Sequence, residues 1–363
     1  MQQRTKFIHH PRRMEGKPLR KTNLFILFIA IIVFFITFLF NFSENKTPNK
    51  KQNLPKEEAV EPPGFKVPHK GIHTFIGASE KEIKNHFGEP EHIDPTPYGY
   101  DWWIYGSHSE HYLQIGMEKG KVVTIYALGK QLPTEPFKIG EDANHIIKKV
   151  DLADTVTFNY KGSRIEFEFK EDEMMVSPLV RFGKIWVQLY IDHFTNRLMC
   201  VRYLTSDILI KQRPYTIVYE GKLDAAPEPA EKEWDEIQNA EAREIFNITN
   251  IFRMRHGLDP LQWNAEAAQA AYQHSREMME KHYFAHESKW SGGPGDRLHQ
   301  AGVDFTMAGE NIAAGYPDGI SAVIGWMNSE DHRKNLFNPS FTDLGVGVYH
   351  KYYTQDFVKL WIE

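Results

Sequence analysis

The sequence predicts an α+β protein in which an N-terminal apolar segment precedes two folded parts of mixed helix and antiparallel strand. Three observations carry that prediction. Residues 164–169 alternate Ile165, Phe167 and Phe169 with Glu166 and Glu168, the period of two expected of a strand with one buried face. Residues 237–255 instead place Ile237, Ala240, Ile245, Ile248, Ile251 and Phe252 at helical spacing. Between them, residues 224–233 (DAAPEPAEKE) break both patterns with Ala, Pro and Glu and mark a linker. At 363 residues and 41% hydrophobic content, the chain is long enough to bury two ordinary cores.

The first element is the apolar run Leu24–Phe40, seventeen residues with Thr37 as the one polar side chain, at the short end of membrane-spanning length. Seven basic residues and the single acid Glu15 precede it, an excess that holds residues 1–23 in the cytoplasm and sends the chain beyond Phe40 outside. The run ends Phe-Leu-Phe-Asn-Phe rather than in small residues, so residues 24–42 are expected to be an uncleaved signal anchor, with a cleaved signal peptide as the alternative. Residues 43–65 are rich in Lys, Asn, Glu and Pro, the composition of a solvated tether. Without the first 23 residues the formal charge falls from −5 to −11, which excludes a basic nucleic-acid-binding surface. The lone Cys200 excludes an intramolecular disulfide and fits an exported protein of a Gram-positive bacterium.

Residues 66–223 read as a duplicated helix-plus-antiparallel-meander domain, with repeats near 72–130 and 135–206. Ile76-Gly77 opens a helical pattern through Ile83 and Phe87, and Ile139-Gly140 opens one through Ile146 and Ile147. Strands are expected at 100–105, 112–117 and 122–128 in the first copy, and at 164–169, 186–191 and 198–204 in the second.

Residues 234–363 form the second part. Gly257 terminates the helix 237–255, and Asn264 caps a second helix whose Ala267, Ala268, Ala271 and Ser275 let another element approach closely. Shorter helices are expected at 294–301, 320–328 and 332–336, then strands at 344–349 and 357–362.

Five blocks in this part share one order with a known family. They are Asn250, Arg253, Gly257-Leu258 and Leu261-x-Trp263; Tyr283-Phe284-x-His286; Gly309-Glu310-Asn311-Ile312-Ala313; Trp326-Met327-x-Ser329-x-x-His332-Arg333-x-Asn335-Leu336; and Leu344-Gly345-Val346-Gly347-Val348. The part resembles the bacterial branch of the CAP (SCP-like) superfamily, the cysteine-rich secretory, antigen 5 and pathogenesis-related proteins. Residues 66–223 are in turn similar to the CAP-associated N-terminal domain of bacilli. The resemblance implies a CAP α-β-α sandwich with a cleft lined by two histidines and acidic residues, which fall here on His286, His332 and Glu310. Each of the three is expected at a helix or loop end. Where the animal branch carries a second glutamate, three residues after the tryptophan, this chain has Ser329. Glu330 is the candidate replacement, and a solvent-facing Glu330 is the alternative.

Two imidazoles with a carboxylate have the donor types of a zinc site, so His286 and His332 are candidate metal ligands and zinc the candidate ion. The same groups could act as general acid and base. No nucleophile or hydrolytic motif accompanies them, since Trp290 stands where a His-Glu-x-x-His pattern begun at His286 needs its second histidine. His282 lies four residues before His286, but Tyr283 and Phe284 mark the end of the helix between them. The family's associations with lipids, peptides and divalent metal make a small ligand or peptide in the cleft the expected partner. Ligand binding without catalysis is the leading expectation; a metal-dependent cell-wall or protein hydrolase, and a protein-interaction module in the N-terminal domain, are the alternatives.

Overall fold

The computed structural model describes residues 67–361 apart from 108 and 151, so the expected anchor and the whole tether lie outside the described residues. Among the described residues no helix is long and apolar enough to cross a membrane.

Each Ile-Gly turn is followed by a capped helix. Ser79 and Glu82 form a reciprocal capping box, with Ser79 N donating to Glu82 Oε2 at 2.7 Å, at the start of α1 (Glu80–Phe87). Asp142 Oδ1 accepts from Asn144 N at 2.9 Å to start α2 (Ala143–Ile147). The chain then builds β1 (His92–Pro95), β2 (Asp101–Tyr105), β3 (Leu113–Glu118) and β4 (Lys121–Ala127) after α1. After α2 come β5 (Thr155–Tyr160), β6 (Ser163–Glu168), α3 (Glu171–Val176), β7 (Leu179–Phe182), β8 (Ile185–Asp192), β9 (Arg197–Leu204), α4 (Ser206–Gln212) and β10 (Thr216–Glu220).

Seven of these strands form one antiparallel sheet in the order β1-β2-β3-β4-β9-β8-β7. The meanders β2-β3-β4 and β7-β8-β9 therefore meet edge to edge through the β4–β9 pair, in mirrored order. Their entries match bond for bond. Gly77 N donates to Val122 O at 2.8 Å and Val122 N to Ala78 O at 3.0 Å, while Gly140 N donates to Leu198 O at 2.7 Å and Leu198 N to Glu141 O at 2.9 Å. Gly77 and Gly140 hold φ of 87° and 89°, values that glycine adopts freely and L side chains rarely do. One expected strand belongs elsewhere. Residues 164–169 lie largely in β6, which pairs with β5 and β10 in a separate three-stranded sheet, and β7 takes its place in the second meander. The large sheet is buried on both faces. Trp103, Ile115 and Ile125 face α1 and α2, and Trp102, Ile104, Tyr126 and Tyr190 face the rest of the protein, so its strands read as near-continuous apolar runs rather than alternation.

The remaining residues form α5 (Glu231–Arg255), β11 (Gln262–Trp263), α6 (Ala265–Glu280), α7 (Pro294–Gln300), β12 (Phe305–Ala314), α8 (Gly319–Met327), α9 (Glu330–Leu336), β13 (Asp343–Tyr349) and β14 (Tyr352–Leu360). Helix α5 starts inside the segment expected to be linker, because Glu233 Oε2 accepts from Ala230 N at 2.7 Å and caps it. The sheet order is β11-β13-β14-β12, with β11 parallel to β13 and the other pairs antiparallel. Ala267, Ala270 and Leu298 of α6 and α7 cover one face with Ala308 and Val358. On the other face Ile248, Phe252 and Val323 of α5 and α8 pack with Leu344, Val346 and Phe357. This is an α-β-α sandwich. Helix α6 lies directly on β13, since a Cβ on Gly345 would sit 2.1 Å from Ala268 N and one on Gly347 1.9 Å from Tyr272 N. Asn264 caps α6 as expected, accepting from Ala267 N at 2.8 Å.

The described residues belong to one compact unit, and a single apolar cluster runs from Tyr126, Tyr190 and Cys200 to Ile245, Ile248 and Phe252. Polar contacts cross the same junction: Arg202 Nη1 donates to Asp318 Oδ2 at 2.5 Å and Tyr98 OH to Pro317 O at 2.6 Å.

Candidate functional site

Strand β12 places Glu310 in mid-strand, directly opposite Asp356 of β14. The expectation that Glu310 would sit at a helix or loop end is thereby corrected: the Gly-Glu-Asn block is strand, and its Gly309 leaves room where a Cβ would meet Asn335 Oδ1 at 2.8 Å. His286 comes from the loop between α6 and α7, and His332 from the first turn of α9.

Glu310 gathers the site. His286 Nδ1 lies 2.7 Å from its Oε1, and Arg297 Nη2 donates to its Oε2 at 2.5 Å. Arg297 Nη1 also donates to His286 O at 3.0 Å and Gly292 O at 2.8 Å, so one guanidinium ties the histidine loop to the strand carboxylate. His274 of α6 brings Nε2 to 3.8 Å from Glu310 Oε2. Asn335 Nδ2 donates to Glu310 O at 3.1 Å and Asn311 Nδ2 to His332 O at 3.2 Å, joining α9 to β12.

The charges follow from this packing. Burial pushes the Glu310 carboxyl up, but Arg297 and the His286 hydrogen bond outweigh burial and hold it down at about 2. Burial, reinforced by the charge on Glu310, pushes Asp356 well above the usual carboxylate range, so this carboxyl stays neutral beside an ionised one. Burial lowers His274 to about 4 despite the pull of Glu310. Burial, with His286 nearby, lowers His332 to about 4 as well. Because ionised Glu310 only accepts, His286 Nδ1 carries the proton, which leaves Nε2 as an acceptor when the ring is neutral.

His286, Glu310 and His332 come together, with different degrees of access. The two histidines each retain 7% exposure whereas Glu310 keeps 1% and His274 none, so the imidazoles form the outer layer and the carboxylate the floor. His332 Nδ1 is held by Ser329 Oγ at 2.8 Å. Ser329 occupies the N-cap position of α9, but its hydroxyl bonds to the histidine rather than to the helix backbone. Among the described residues, Nε2 of both His286 and His332 is buried without a hydrogen-bond partner.

Glu330 does not join them. Its side chain is three-quarters exposed and pairs with Lys334 Nζ at 3.0 Å, one helical turn on. His282 lies past the end of α6 with φ of 54°, outside the helix that would have aligned it with His286. Among the described residues no group of three or more His, Cys, Asp or Glu is placed to hold a metal ion. Glu310 is engaged by Arg297 and His286, so the donor set does not fit a closed four-ligand zinc site, and what it leaves to an ion is the two imidazole Nε2 atoms.

Arg297, His274 and Asp356 escape sequence reasoning. His274 falls on the small-residue face of α6, one helical turn after Ala270 and Ala271, and that position was its available signal. Arg297 and Asp356 owe their place to how α7 docks on β12 and to strand register, which leave no local mark.

Comparison with known proteins gives two family matches. Residues 76–215 match the family described as CAP-associated N-terminal, and residues 246–361 the cysteine-rich secretory protein family. A Bacillus subtilis (strain 168) protein named uncharacterized membrane protein YlbC is 40% identical over 344 residues, 93% of this chain and 99% of that protein. Another from the same strain, uncharacterized protein YkwD, is 39% identical over 122 residues, 33% of this chain and 48% of its own length. The crystal structure of an extracellular protein containing an SCP domain from Bacillus anthracis str. Ames is 39% identical, covers 86% of this chain and 100% of its own, and has a TM-score of 0.76. A cysteine-rich secretory protein from Staphylococcus aureus subsp. aureus Mu50 is 23% identical over 81% of this chain and 94% of its own, with a TM-score of 0.70, a likeness of fold.

Proposed function

Because this chain belongs to the cysteine-rich secretory protein (CAP) family, in the form that carries a CAP-associated N-terminal domain, we propose that it is a membrane-anchored extracytoplasmic protein that binds a ligand through His286 and His332. The observation that carries this reading is the pair of neighbouring imidazoles whose Nε2 atoms are buried and unpartnered. Leaving such an atom unsatisfied costs about 1–3 kcal/mol, and a bound group that donates a hydrogen bond or an ion recovers it. Neutral imidazole at neutral pH is the form that accepts such a group. Divalent zinc suits two imidazoles, while a lipid headgroup, a peptide or a cell-wall fragment would offer N–H or O–H donors.

Binding rather than hydrolysis is favoured by the surroundings of the pair. Ser329 Oγ is spent on His332 Nδ1, and among the described residues the other ring nitrogen of His332 meets no carboxylate, so Ser329 and His332 lack the orienting third group of a hydrolytic triad.

Location rests on the apolar run 24–42, its basic flank, and two relatives, one named a membrane protein and one described as extracellular. Protease added to intact protoplasts should digest the chain beyond residue 43 and spare an epitope before Lys21; protection of the C-terminal part would contradict the anchor.

The binding test is melting of the full-length chain with zinc and with chelator, for the wild type, His286→Ala and His332→Ala. At ~100 times the dissociation constant the wild type should gain about 2.7 kcal/mol, and each variant should lose most of it. Equal gains in all three proteins would remove these histidines from the binding site.

A further inference from the structure

We propose that the β8–β9 turn of the N-terminal part is a clasp that positions His332. The turn linking α8 to α9, which carries Ser329 and leads into His332, is gripped at both ends from across the junction. At one end Asn328 Oδ1 accepts from His193 N at 2.9 Å and its Nδ2 donates to Ile191 O at 3.0 Å, a two-way pairing of one amide with the backbone of the neighbouring hairpin. At the other, Arg333 Nη2 donates to Asp192 Oδ2 at 2.8 Å while its Nη1 donates back to Met327 O at 2.9 Å. The guanidinium carbon sits 5.0 Å from the centres of both the Phe194 and Phe337 rings, packed between the two parts.

Asp192 is itself fixed. Its Oδ1 accepts from Phe194 N at 2.9 Å and Thr195 N at 3.3 Å, so the carboxylate that holds Arg333 also shapes the turn that presents it. Asp192 is 4% exposed and its partner Arg333 is largely covered, so little water competes for this pair. His332 lies between the two gripped residues, within five positions of one and adjacent to the other. Among the described residues neither Asn328 nor Arg333 hydrogen-bonds to His286 or Glu310, and they act on the site through the path of the turn. They are positioning residues.

This arrangement gives the N-terminal part a role in the binding site that it does not itself line. Loosening the hairpin frees the turn, and His332 then leaves the orientation in which Ser329 holds its Nδ1. That this matters to binding rests on the role proposed above for His332; the clasp itself is measured without any ligand.

The experiment treats the full-length chain in detergent with diethyl pyrocarbonate and follows carbethoxylation of each histidine by peptide mass spectrometry. Asp192→Ala and Asn328→Ala should each carbethoxylate His332 about tenfold faster, the factor for a turn whose local opening has become ~1.4 kcal/mol easier. The exposed His69 should react at its wild-type rate. Arg243→Ala is the control, since it breaks a different junction contact, the 2.6 Å pair with Asp94, and should leave His332 at the wild-type rate. An unchanged His332 rate in Asp192→Ala, or an equal acceleration in Arg243→Ala, overturns the proposal. Acceleration of His332 in Asp192→Ala with an undiminished zinc shift upholds the clasp and removes His332 from the binding role.

Discussion

Arg297 and Asp356 decide the charge of the site between them. Arg297 supplies the cation that keeps buried Glu310 ionised, and Asp356 takes the neutral form that a second carboxyl must adopt beside it. Two substitutions separate these roles. Asp356→Asn keeps shape and neutrality and should cost less than about 1 kcal/mol in urea unfolding, within the range of isosteric changes. Arg297→Met strands the Glu310 carboxylate and should cost about 3–5 kcal/mol, as breaking a buried pair does. Equal losses would mean that Asp356 is ionised. The depressed histidines add a pH dependence of known sign. His274 and His332 sit near 4 in the folded protein against an ordinary 6.5, so their share of stability is complete above about pH 6.5 and is lost as pH falls through 4. The melting temperature of a His332→Gln variant should fall less steeply than that of the wild type across that interval; parallel curves would contradict the depressed histidine.

Among the elements, α6 lies hard against β13 at Gly345 and Gly347. A methyl group added at Gly347 would overlap the backbone of Tyr272, so Gly347→Ala should force the helix off the sheet and cost at least about 2 kcal/mol, read from the midpoint of urea unfolding. A variant as stable as the wild type would show that the helix has room to retreat. That small residues on α6 admit a close neighbour was legible in the sequence, as was the Asn264 cap, because both are local features. The paired Ile-Gly turns were legible for the same reason, since each needs a glycine at positive φ. Strand β12 was not foreseen, because Gly309, Asn311 and Ala308 are weak strand formers held there by pairing with β14. Residues 164–169 alternate as a strand should, but alternation does not say which sheet a strand joins, and β5 and β10 claim it. His286 and His332 were found through family blocks. Glu330 was misdirected by sequence proximity, since its place at the start of α9 turns it toward Lys334 and solvent.

For the whole molecule, the junction between the two parts carries acids as well as apolar side chains. Glu241 and Glu244 of α5 are almost fully buried, near Asp318 and, for Glu244, near Asp94 and Gln114. Burial first, and neighbouring acids second, raise both carboxyls well above their ordinary 4.5. Their contribution is therefore complete below about pH 4.5 and erodes as pH climbs toward the raised values, by about 1.4 kcal/mol per pH unit for each carboxyl. Glu244→Gln should raise the melting temperature at pH 8 and leave it nearly unchanged at pH 5. A variant equally destabilised at both would mean that the carboxyl is held by its hydrogen bond and not penalised by burial. The same junction holds the turn leading to His332 by hydrogen bonds, so the proposed binding centre draws on both parts even though its ring nitrogens come from one. Its central feature is the pair of free Nε2 atoms on His286 and His332. The most direct measurement is the anomalous X-ray signal of a zinc-soaked crystal: one peak is expected within about 2.0–2.1 Å of both Nε2 atoms, and a crystal whose only zinc lies elsewhere would take the metal away from these histidines.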